Sequence, residues 1–151
     1  ADLGAMCAAA GYRNIQTVGA SGNVLFETGD EPAKIKAELE RRLRDHAGKP
    51  VGVLVRTAQE MAAVLAANPF PEAEPSRAMA LFLDGPPPAD TLQNLKGVAN
   101  EQVRLGAREI YILYPDGSGR SKLVIPAAKA GTARNMNTVA KLAALAARRP
   151  A

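Results

Sequence analysis

The chain has 151 residues, of which 47% are hydrophobic and 23% charged, a balance that describes one globular domain or two small subdomains and excludes a disordered chain. Its single cysteine, Cys7, rules out an internal disulfide and any multi-cysteine metal site, and no apolar run reaches the roughly 18 residues that cross a membrane. Without Trp, and with three Tyr and three Phe, base stacking is not its main tool, and a net charge of +4 is modest.

In chain order, Leu3, Met6, Cys7 and Ala10 recur at helical spacing and Gly11 supplies a stop. Cys7 sits on that apolar stripe, so it is expected to be a packed core thiol rather than a nucleophile. Residues 15–28 are expected to form an antiparallel hairpin around Ser21-Gly22-Asn23, whose residue types suit a tight turn. A helix follows, with Pro32 in its first turn, Gly48 at its end and Ile35, Leu39 and Leu43 as its buried stripe. Its charges fall in i,i+4 pairs, Glu38–Arg42, Glu40–Arg44 and Arg41–Asp45, which describes a solvated face. His46, the only histidine, lies at the frayed end and is not read as catalytic.

The run VGVLVR, residues 51–56, has the pattern of a short buried strand expected to join the hairpin's sheet. Thr57 to Glu60 matches a capping box opening a helix through Met61, Val64 and Leu65, which Asn68-Pro69 ends. A strand over 77–84, a short helix around Asp90 to Lys96, a strand pair over 101–106 and 108–114, and a final helix from Asn137 to Arg148 complete the pass. The first part thus reads α-β-β-α-β and the second β-α-β-β followed by a helix. One further strand ahead of the first part would give the ferredoxin-like order βαββαβ. The expectation is an α+β fold of two related ferredoxin-like halves: residues 1–56, a connecting helix and loop over 57–76, and residues 77–151.

The charge is unevenly spread. From Arg120 onward there are seven basic residues (Arg120, Lys122, Lys129, Arg134, Lys141, Arg148 and Arg149) and no acid, which leaves 12 basic and 15 acidic residues in 1–119. A basic end on a mildly acidic body points to an anionic partner. Two stretches there carry candidate chemistry. In DGSGRSKL, Gly117 and Gly119 permit a close backbone approach, successive N–H groups form an anion-binding concavity, Ser121 can cap, Arg120 offers a fork and Lys122 a point charge. The pattern is neither a Walker A loop nor a full G-x-G-x-x-G. In TARNMNTV, Thr132, Arg134, Asn135, Asn137 and Thr138 stand just ahead of Val139, at a helix start whose free N–H groups suit an anion; one cap needs one residue, and this stretch supplies five polar ones.

The segments SGNVLFET, VRTAQEMAAVLAANPF, YPDGSGRSKL and TARNMNTVAKL stand in the order found in the bacterial domain-of-unknown-function family 1697, which the chain resembles over nearly its whole length. That resemblance implies a compact α+β fold with ferredoxin-like character, usually with a further strand before the first helix, and implies no activity. The chain departs from the family pattern at Ala20, where Gln is usual, at Met136, where an aromatic is usual, and in the short stretch between Lys122 and Arg134.

The functional expectation is a cytoplasmic binding protein, since no signal peptide is visible. Gly117, Gly119, Arg120, Ser121 and Lys122 would join Arg134, Asn135, Asn137 and Thr138 in one basic pocket for a phosphate-bearing small molecule. Nucleic acid is a further candidate partner through phosphate contacts. The alternatives are an enzyme acting on a phosphorylated small molecule, with Asp116 as the nearest carboxylate, and a protein–protein interaction module. No cofactor, metal or membrane partner is implied.

Overall fold

The computed structural model describes residues 2–19, 22–49 and 52–148. Ala20, Ser21, Val51 and Arg149, which figure in the sequence reading, lie outside the described residues. The protein is α+β, with two antiparallel sheets, and divides into two compact units, Ala1–Thr57 and Ala58–Ala151.

In the first unit, α1 (Asp2–Ala9) is followed by the hairpin β1 (Arg13–Val18) and β2 (Asn23–Glu27), then α2 (Pro32–Ala47). The hairpin is antiparallel and pairs Val18 with Asn23, whose side-chain amide donates back to the Val18 carbonyl. Its apolar centre is Cys7, Tyr12, Ile35 and Leu39, with Tyr12 stacked on Phe26 at a centroid distance of 4.6 Å. Cys7 is fully buried, as its place on the helical stripe predicts, and burial pushes its thiol pKa up. The thiolate needed for nucleophilic chemistry is therefore disfavoured.

Two expectations fail in this unit. Residues 52–57 form no strand; the backbone of Val53 is instead engaged by α2. Lys36 Nζ donates to its carbonyl at 2.6 Å and its N–H donates to Glu40 Oε2 at 3.0 Å. Both polar groups are satisfied without a neighbouring strand, while Val53 and Val55 still pack on the core. For the same reason Glu40 pairs with Lys36, at 2.6 Å, and not with Arg44. The pairs Glu38–Arg42 and Arg41–Asp45 form as expected.

The second unit contains α3 (Ala58–Ala66), β3 (Ala78–Phe82), β4 (Gln102–Leu105), β5 (Glu109–Leu113), β6 (Thr132–Asn135) and α4 (Met136–Ala147). The sheet order is β4-β5-β3-β6, antiparallel throughout. The helix read as a connector, α3, packs on α4 within this unit. The short helix expected near Asp90 to Lys96 is a single 3₁₀ turn, Thr91–Asn94.

The sheet has two covered faces, which the pairing register assigns. Directly opposed residues of an antiparallel pair share a face. Leu81 faces Ile110, and Val103 faces Ile112, so these four share one side, covered by Leu95, Leu123 and Ile125 from irregular segments. Tyr111 lies between Ile110 and Ile112 and points the other way, where its hydroxyl donates to the Val64 carbonyl of α3 at 3.1 Å. Helices thus cover one face and loops the other, and the loop layer carries the site.

Candidate functional site

The glycine loop leaves β5 at Leu113. Tyr114 continues the strand's alternation and packs on the loop-covered face beside Ile112. A turn follows, closed by the Gly117 N–H donating to the Tyr114 carbonyl at 2.9 Å. Gly117 has φ +87°, a conformation that L side chains rarely adopt. Ser118–Arg120 then makes one 3₁₀ turn, and Val124 meets Lys96 in an isolated antiparallel bridge with hydrogen bonds of 2.7 and 3.0 Å.

That bridge places residues 97–101 against the loop. Gly97 has φ +70°, and a Cβ there would fall 2.1 Å from the Lys122 carbonyl oxygen, so only glycine lets the two segments come this close. Two side-chain bonds cross between the segments. Ser121 donates to Glu101 Oε2 at 2.7 Å, and Asn100 donates to Asp116 Oδ2 at 2.8 Å. The result is an open cleft of about 240 Å³ lined by Gly97, Ala99, Asn100, Glu101, Tyr114, Asp116, Gly117, Arg120, Ser121 and Lys122.

The cleft's acids and bases are in different states of engagement. Glu101 also accepts the Ala99 N–H at 2.7 Å. Its pKa is held below the usual carboxylate value, chiefly by the Ser121 hydroxyl and then by backbone N–H donors. A carboxylate so held is a poor base at neutral pH. Ser121 is engaged both as donor and as acceptor, since its oxygen also accepts the Leu123 N–H at 3.1 Å. Burial raises the Tyr114 pKa, and Glu101 adds to the rise, so Tyr114 is a neutral phenol at physiological pH. Arg120 and Lys122 are exposed and make no ion pair or side-chain hydrogen bond among the described residues.

Of the nine residues proposed from sequence, Gly117, Arg120, Ser121 and Lys122 line this cleft, with Gly119 in the same loop. Arg134, Asn135, Asn137 and Thr138 do not line it. The register supplies the reason. TARN is not a loop but β6, and Arg134 stands opposite Ala80, which in turn stands opposite Tyr111. Arg134 therefore belongs to the helix-covered face and the cleft to the other. Its guanidinium donates to Thr132 Oγ1 at 2.9 Å and to the Ala133 carbonyl at 2.8 Å, and burial draws its pKa down. Asn135 is the N-cap of α4, accepting the Thr138 N–H at 3.0 Å. The single shared pocket expected from sequence is thus not the cleft that forms.

The opposite wall, Gly97 to Glu101, escaped the sequence reading. Its one local signal is the lone Gly97 between apolar segments; its approach to Lys122 depends on a bridge between residues distant in the chain. Among the described residues no group of three or more His, Cys, Asp or Glu is placed to hold a metal ion, and no helix is long and apolar enough to cross a membrane.

Comparison with known proteins bears on the fold and the family. The conserved bacterial protein SP0830 from Streptococcus pneumoniae has a similar fold, with a TM-score of 0.79 and 19% identity, over 97% of this chain and 88% of that one. No curated protein matches the sequence. A family model described as "Protein of unknown function (DUF1697)" matches residues 1–111, stopping short of the glycine loop. The match spans most of the chain and agrees with the resemblance carried by its first two motifs, so the chain belongs to this family.

Proposed function

We propose that the protein binds a small phosphate-bearing or otherwise anionic ligand in the cleft between residues 97–101 and 114–122. The observation that carries the reading is the pair Arg120 and Lys122, which line the cleft and make no ion pair or side-chain hydrogen bond among the described residues. The neighbouring carboxylates are each already hydrogen-bonded, by Ser121 and Ala99 at Glu101 and by Asn100 at Asp116. A guanidinium offers two parallel donors and an ammonium a point charge, a combination suited to phosphate oxygens.

The finer architecture is read in the same way. The second unit's order β4-β5-β3-β6 is the antiparallel arrangement of a ferredoxin-like sheet, with β3 central and its two crossovers reduced to 3₁₀ turns. This supports two related ferredoxin-like halves, the first represented by its helices and hairpin.

The test is isothermal titration with phosphate monoesters. The wild type is expected to bind, and the double variant Arg120→Gln with Lys122→Gln to lose at least about tenfold in affinity, since each charge-assisted bond contributes about 1.5–3 kcal/mol. Affinity unchanged by the double substitution would end the reading.

A further inference from the structure

The cleft's own charge narrows the class of ligand. Its lining contains two cations, Arg120 and Lys122, and two carboxylates, Glu101 and Asp116. A bare anion entering this space meets attraction and repulsion of similar size, so net charge alone gives it little. A ligand gains from the whole lining only by presenting an anion to one part and hydrogen-bond donors to the other.

The donors have a defined destination. Both oxygens of Glu101 already accept bonds, from Ala99 N–H and from Ser121. Asp116 uses one oxygen, Oδ2, to accept from Asn100 Nδ2. Asp116 Oδ1 and Asn100 Oδ1 have no hydrogen-bond partner among the described residues. Because Asn100 and Asp116 are bonded to each other at 2.8 Å, these two acceptors belong to side chains in contact on one part of the lining. Acceptors on two touching side chains suit a ligand with more than one hydroxyl group, and a carboxylate takes a hydroxyl in a charge-assisted bond.

We infer that the cleft takes a phosphorylated polyol, a phosphate monoester with more than one hydroxyl group, with its phosphate on Arg120 and Lys122 and its hydroxyls on Asp116 and Asn100. This rests on the anion-binding reading above and specifies its substrate class. Tyr114, a neutral phenol on the cleft wall, adds a surface for the carbon skeleton without adding charge.

The experiment compares ribose 5-phosphate with methyl phosphate, which has the same anion and no hydroxyls, on the wild type and on Asp116→Asn. Asparagine keeps an acceptor for Asn100 and removes the charge. Ribose 5-phosphate is expected to bind about tenfold tighter than methyl phosphate, as one charge-assisted hydroxyl contact requires. In Asp116→Asn that advantage should fall to within about threefold, the residue of a neutral bond, while methyl phosphate binds as well or better. Equal wild-type affinities, or an advantage that survives Asp116→Asn, would overturn polyol recognition and leave anion binding standing. Failure of both compounds to bind would overturn both readings.

Discussion

The apolar run around Val53 and the run Ile110–Ile112 look alike in sequence and meet different ends. In the second unit Ile110, Tyr111 and Ile112 enter a strand paired on both sides, so backbone bonds come from β3 and β4. In the first unit Val53 has its backbone N–H and carbonyl met by the side chains of Glu40 and Lys36, and no strand forms over residues 52–57. Strand propensity describes a side chain's fit to a pleated surface and not whether a partner is present. What distinguishes the two runs is how the backbone is satisfied: by ladders at Ile110–Ile112, and at Val53 by a charged pair on a helix. The candidate cleft uses a third device, a single bridge between Lys96 and Val124 reinforced by side chains.

The contrast can be broken at several points, and hydrogen exchange resolved by residue would assign each loss to its unit. The largest effect is expected at the bridge. Gly97→Ala forces a positive-φ residue and a contact with the Lys122 carbonyl that cannot be relieved by a rotamer change. It should cost about 2 kcal/mol or more and expose the amides of Lys96 and Val124 to exchange.

A smaller loss follows at the ladder. Tyr111→Phe deletes the bond to the Val64 carbonyl and should cost the second unit about 1 kcal/mol. This site has its own pH dependence. Burial, with a contribution from Glu109, pushes the Tyr111 pKa from its ordinary 10 to about 12. The folded state therefore favours the neutral phenol. Its contribution is complete below pH 10 and is lost as pH rises toward 12, a loss that Tyr111→Phe should remove in alkaline unfolding curves.

The smallest effect is expected in the first unit, with the opposite sign. Glu40 is held below its ordinary value of 4.5, first by Lys36 and then by the Val53 N–H. Its stabilisation is present above pH 4.5 and fades as pH falls through the lowered folded value. Because the side chain is one-third exposed, solvent screens the pair, and Glu40→Gln should cost below about 1 kcal/mol. The protection of the Val53 amide, relative to its intrinsic exchange rate, should fall in acid in the wild type and vary less with pH in the variant.

Local signals made part of this legible in the sequence. Pro32 and Gly48 bracket α2, Gly22 and Asn23 mark the hairpin turn, and the stripe containing Cys7 gives its burial. The glycine turn was legible in outline because its glycines are close together in the chain, and Arg120 and Lys122 stand on it as the local sequence suggests. The opposite wall was not, because Gly97 meets Lys122 across a non-local bridge. The assignment of Arg134 to the same pocket failed for a related reason. TARN has too little apolar alternation to announce a strand, and only pairing with β3 fixes the face on which Arg134 lies. Of the polar stretch, Asn135 does the capping, Thr132 and Arg134 belong to β6, and Asn137 and Thr138 lie in the first turn of α4.

The most direct test of the central claim is the location of binding, mapped by backbone amide shifts during titration with ribose 5-phosphate. The account predicts saturable shifts at Gly97 to Glu101 and at Asp116 to Lys122, with the amides of Arg134 to Thr138 unmoved. Shifts concentrated at Arg134 to Thr138, or no saturable shift along the glycine loop, would contradict it.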